Sequence, residues 1–80
     1  MLSEINQKQL DNFLYNISWL RKHNGLSKKK MAEILEISVS TLNKIENGEL
    51  PPRLGVGVVF NLHRHFGIIP KDQVGERLGD

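Results

Sequence analysis

Between Asn12 and Ala32 the 80-residue chain carries no acidic residue, yet Arg21, Lys22, Lys28, Lys29 and Lys30 place five positive charges within ten residues. Such a cluster can neutralise a polyanion or can be no more than a solvated lysine face, and charge alone leaves both readings open. The chain as a whole does not decide, because 11 Lys and Arg against 9 Asp and Glu leave a formal net charge of only +2. Placement says more. Ser27 is a favourable helix N-cap, which puts Lys28, Lys29 and Lys30 in the first turn of the helix that follows. The free N–H groups of that turn already attract an anion, and lysines there oppose the helix dipole. Phosphate neutralisation explains Lys28 and Lys29, with Lys30 directed to solvent.

Other residues with chemical potential do not assemble into a site. His63-Arg64-His65 is the one histidine cluster and His23 is remote in sequence. Residues two apart on a helix diverge, and neither His63 nor His65 has an acid three or four positions on, so no metal is expected. Gly55 and Gly57 lack the lysine and the strand of a phosphate loop. Ser27, Ser38 and Ser40 have no recognisable histidine and acid partners, so neither catalysis nor a cofactor is expected. The absence of cysteine removes disulfides, cysteine-based zinc sites and a thiol nucleophile, and points to a cytoplasmic setting. Apolar runs are short, as in Val58-Val59-Phe60, and the N-terminus has neither a basic start nor an apolar signal core; no membrane span or export signal is expected.

The elements that must position the cations are helices. Leu10, Phe13, Leu14, Ile17 and Leu20 recur at three- and four-residue steps, predicting a helix from about 6 to 23 that Asn24-Gly25 ends. Tyr15 and Trp19 form a neighbouring stripe suited to packing against a terminal segment. Met31, Ile34 and Leu35 predict a helix over about 28–35. Ser38 repeats the capping signal, and Val39, Leu42 and Ile45 predict another over about 39–47, stopped at Asn47-Gly48. Pro51-Pro52 forbids helix, leaving a loop from about Gly48 to Leu54. Gly55 caps a helix over about 55–66, with Val58, Val59, Leu62 and Phe66 facing inward, and residues 71–78 form a last short helix. The expectation is an all-α fold of four to five helices, a single domain over 1–80 with 39% apolar residues and room for one core. Val56, Val58, Phe60, Ile68 and Ile69 look surplus to that core, so a homodimer is expected.

Two short helices joined by a three-residue turn have the geometry of a helix-turn-helix, in which the first helix braces the second against a DNA major groove. Ala32 is small where the second helix must approach, and Met31, Leu35, Ile37, Leu42 and Ile45 take inward positions. From Leu20-Arg21 through Gly25-Leu26-Ser27, Met31-Ala32, Ile37-Ser38 and Thr41-Leu42 to Ile45-Glu46-Asn47-Gly48, the chain resembles the lambda-repressor-like helix-turn-helix family. The resemblance covers roughly residues 17–69, with the motif itself over about 28–47. It departs at Glu36, where the family often has glycine, and in a slightly longer Glu49–Leu54 segment.

The resemblance implies a compact lambda-repressor-like domain that binds double-stranded DNA and regulates transcription. It implies that Arg21 and Glu46 tie the first helix to the end of the recognition helix. It places Val39, Ser40, Asn43 and Lys44 toward base edges, where lysine suits guanine, asparagine suits adenine, serine suits either and valine suits a thymine methyl. Ser27, Lys28, Lys29, Asn47 and Arg53 would contact phosphates and fix register without reading sequence. The expected function is a repressor acting as a homodimer on a two-fold symmetric operator. Two alternatives stand beside it: an antitoxin-type autoregulator with a protein partner such as a toxin or anti-repressor, and an interaction module that keeps the fold without binding DNA. The lysine cluster argues against the last, which has no need of it.

Overall fold

The computed structural model describes residues 7–51 and 54–79, and those residues form five helices: α1 Gln7–His23, α2 Lys28–Leu35, α3 Val39–Glu46, α4 Val56–Phe66 and α5 Pro70–Gly75. One apolar cluster holds them. Phe13, Leu14, Ile17 and Leu20 of α1 meet Met31, Ala32 and Leu35 of α2, Leu42 and Ile45 of α3, Leu54 of the loop, and Val58, Val59 and Leu62 of α4, all buried. α1 lies against α3 and α5, α2 against α3 and α4, and α4 against α5. Val58, expected both on the inward face of α4 and among the surplus residues, is a core residue, and Ile68 packs half-buried on the core; Val56, Phe60 and Ile69 remain exposed. The i, i+3 spacing from Val59 to Leu62 fixes which face of α4 turns inward, and Val58 shares it.

The helix boundaries follow from local hydrogen-bond chemistry. Ser27 Oγ accepts from Lys30 N at 3.0 Å and Ser38 Oγ from Thr41 N at 3.0 Å, so each short helix begins with a satisfied donor. Four helices end on a left-handed residue, Gly67 after α4 among them, and three of these share one further backbone bond. After α1 the residue is Gly25, with Leu26 N donating to Arg21 O at 2.9 Å; after α3 it is Gly48, with Glu49 N donating to Lys44 O at 2.8 Å. After α2 the left-handed position is held by Glu36 (φ 58°, ψ 43°), with Ile37 N donating to Ala32 O at 3.0 Å.

The last helix is shorter than the 71–78 the sequence predicts, ending at Gly75 with Glu76 extended. The cause lies in α1. Asn16 Nδ2 donates to Gln73 O (2.8 Å) and Glu76 O (2.9 Å), its Oδ1 accepts from Leu78 N (2.7 Å), and Asn12 Nδ2 donates to Val74 O (3.1 Å). A continuing helix would pair Leu78 N with Val74 O. Two buried amides take both groups instead and turn the chain back over α1. There Arg77 sits 4.8 Å above the Tyr15 ring, and Gly79 lies so close to Trp19 that an added Cβ would collide with its Nε1. Tyr15 and Trp19 thus do pack against the terminal segment, Trp19 also stacking on His23 with 4.3 Å between ring centroids.

Candidate nucleic-acid interface

α3 is held from behind and open in front. Leu42 and Ile45 enter the cluster shared with Met31, Ala32 and Leu35 of α2, fixing the rotation of the helix about its axis. Glu46, its last residue, is gripped by Arg21 of α1: Nε donates to Oε2, Nη2 donates to Oε1 at 2.9 Å, and Nη1 donates to Leu26 O at 3.1 Å. The two side chains are only 15% and 8% exposed, so this forked pair works largely out of water. Hydrogen bonding to Glu46 raises the Arg21 pKa further above its ordinary value; burial opposes the rise and Coulomb attraction adds to it. A raised pKa on a base means the interaction is complete below the usual arginine range and lost only above it. The cation therefore persists across every pH at which proteins ordinarily fold.

The front of α3 presents Val39, Ser40 and Lys44 exposed and Asn43 half-buried. Spacing accounts for it: positions 39, 40, 43 and 44 share one face when 42 and 45 face inward. At the adjoining end of α2, Ser27, Lys28 and Lys29 are exposed. Lys28 Nζ donates to Asn43 Oδ1 at 2.9 Å, joining the two helices across the front. The Ser27 oxygen is engaged as a cap, which leaves its hydroxyl hydrogen to donate elsewhere. Asn47 is exposed at the C-terminal end of α3, while Arg53 lies outside the described residues.

A second polar connection was not anticipated from sequence. Glu36 Oε2 accepts from Asn61 Nδ2 at 3.2 Å and lies 3.7 Å from Arg64 Nη2, and Arg64 in turn donates to Asn61 Oδ1. The turn of the helix-turn-helix is thereby joined to α4. The only local sign was an asparagine between the inward residues Val59 and Leu62.

Among the described residues no group of three or more His, Asp or Glu stands ready to hold a metal, and no helix is long and apolar enough to cross a membrane. Two short helices with a tight turn, the first bracing a second whose polar face is open beside a row of cations, define a helix-turn-helix module of the kind that reads DNA. A helix-turn-helix family model matches residues 17–74, most of the chain. The chain belongs to the lambda-repressor-like helix-turn-helix family of DNA-binding transcription regulators. No curated protein and no solved structure matched it.

Proposed function

We propose that this chain is a transcriptional repressor that binds a two-fold symmetric operator as a homodimer and acts by excluding polymerase. Val39, Ser40, Asn43 and Lys44 face base edges, and Ser27, Lys28, Lys29, Asn47 and Arg53 contact phosphates. The observation that carries this reading is the open polar face of α3 beside the exposed Lys28 and Lys29, on a helix fixed from behind by the core and by Arg21. Dimerisation is supported by Val56, Phe60 and Ile69, which are 50%, 67% and 46% exposed. Recognition helices related by a two-fold axis meet half-sites whose centres are about 34 to 36 Å apart.

Selection of bound sequences from a random DNA library tests binding, specificity and symmetry together. Enrichment of paired, inverted half-sites one helical turn apart is the expected result; no enrichment overturns DNA reading, and a single unsymmetrical site bound by one chain overturns the dimer. The exposed apolar residues also favour a second reading, an antitoxin-type autoregulator that uses this face for a protein partner. Sedimentation separates the two, because the second allows a monomer without its partner.

A further inference from the structure

Lys28 and Asn43 have separate expected tasks, one on a phosphate and one on a base, yet Lys28 Nζ donates to Asn43 Oδ1 at 2.9 Å. An ammonium group has three donors and no acceptor, so it can hold only the oxygen end of an amide. The contact therefore decides which way round the Asn43 side chain sits, with Nδ2 directed away from the lysine. An unheld amide turns over easily and offers a donor or an acceptor in the same place; a held one does not.

We propose that Lys28 is a positioning residue for base recognition, fixing the Asn43 amide so that its NH2 end is offered to a purine N7. This rests on the proposed reading of DNA by α3. Bidentate pairing with adenine needs Nδ2 to donate to N7 and Oδ1 to accept from N6, and Oδ1 keeps a second lone pair for that bond after Lys28 has taken the first. Cytosine presents only its N4 donor to that same oxygen and offers no acceptor to Nδ2, so it can make one bond where adenine makes two. The held orientation thus favours adenine over cytosine. The two remaining Nζ donors stay available to a phosphate, so one side chain links backbone docking to base choice.

The contact is exposed in the free chain, where water competes for both groups and the bond adds little to folding. When DNA covers it the competing water is excluded and the interaction strengthens. Its effect accordingly belongs to specificity rather than stability.

The test uses Lys28→Met, Lys28→Arg, Asn43→Ala and the Lys28→Met/Asn43→Ala double variant. Affinities are measured for the selected operator and its single-base variants across a salt series. Asn43→Ala identifies the base pair that Asn43 reads. Lys28→Met should lower discrimination at that pair by about 3- to 10-fold, a fraction of what a bidentate contact supplies, and leave the other positions alone. Lys28→Arg, which keeps a donor and the charge, should retain it. In the Asn43→Ala background Lys28→Met should change only overall affinity and the salt slope, by about 0.9 for one phosphate contact. In the free protein, the two side-chain NH2 proton resonances of Asn43 should shift in Lys28→Met and stay near their original positions in Lys28→Arg. Full discrimination in Lys28→Met, or unmoved Asn43 resonances, overturns the proposal. A wild-type chain with no preferred sequence overturns the DNA reading and the positioning role with it; the resonances, read without DNA, tell that failure from a missing Lys28–Asn43 contact.

Discussion

Glu36 and Glu46 stand at the C-terminal ends of the two helices of the helix-turn-helix, and the same carboxylate serves a different purpose at each. Glu46 closes α3 with its side chain 8% exposed and both oxygens taken by one guanidinium. Glu36 sits in the turn with its side chain 71% exposed, bridging to Asn61 and, at 3.7 Å, to Arg64. The first pair is desolvated and forked, so losing a partner strands a cation in a site with little water. The second is wet, and water replaces either partner at small cost. Position relative to solvent, more than charge, separates an anchor from an accessory.

The sharpest way to test that contrast is Glu46→Ala. Arg21 keeps the Leu26 carbonyl but loses its counter-ion, and the expected loss is about 3 kcal/mol, at the lower end of the range for breaking a buried pair because 15% of the arginine side chain still meets water. Chemical denaturation measures it. A loss below about 1 kcal/mol would place Glu46 in the same class as Glu36 and dissolve the distinction.

A neutral tie asks whether burial alone suffices. Asn16 is 1% exposed and its amide donates to two carbonyls and accepts from one N–H of the C-terminal segment. Asn16→Ala should cost about 2 kcal/mol through the unsatisfied backbone groups it leaves, with water reaching some of them. Urea denaturation at low and high salt gives the measurement. The loss should be the same at both, whereas an effect that fades with salt would mean that charge, and not the amide, holds this segment.

What was legible in the sequence divides along the same line. The apolar period placed α1 to α4, because Leu42 and Ile45, or Phe13 and Ile17, report burial through spacing alone. Serine caps and glycine ends marked the boundaries because those residues act within four positions. Arg21 and Glu46, 25 positions apart, have no local signal that joins them; only the family motif suggested the tie. Asn16 is further removed still. Its partners are backbone groups 57 to 62 positions away, which any sequence could supply, so the network had no local signature. Lys28 and Asn43 were each visible, one by its helix terminus and the other by its face, but the bond between them depends on how two helices cross.

Lys44 extends the comparison to a charge with no structural task assigned. Lys44→Ala should leave folding stability within about 0.5 kcal/mol, as for an exposed surface substitution. On the preferred operator it should cost about 1 to 3 kcal/mol, with a smaller loss on random DNA, relaxing discrimination at one base pair in each half-site. Denaturation and binding titrations on both DNAs give the two numbers. An unchanged ratio of operator to random affinity removes Lys44 from the base-reading set.

The smallest effect is at Glu36 and comes from two opposing terms. Of the four left-handed helix ends, those after α1, α3 and α4 use Gly25, Gly48 and Gly67, whereas α2 uses a residue with a Cβ at φ 58°. That conformation costs an L-residue roughly 1 to 2 kcal/mol, and glycine, although free of the clash, loses more backbone entropy on folding by about 0.5 to 1 kcal/mol. The exposed contacts to Asn61 and Arg64 contribute about 0.5 kcal/mol in return. Glu36→Ala keeps the strain and loses the contacts, so stability should fall by about 0.5 kcal/mol, and that loss should shrink in high salt as screening removes the Arg64 attraction. Glu36→Gly loses the same contacts but relieves the strain, so it should be about 0.5 to 1 kcal/mol more stable than Glu36→Ala and close to wild type. The difference between the two variants isolates the backbone term, because both lack the carboxylate. Urea denaturation of the pair is decisive: a glycine variant less stable than the alanine variant would mean that the turn is not strained at Glu36. The side-chain bridge to α4 would then be the only reason for an acid at that position.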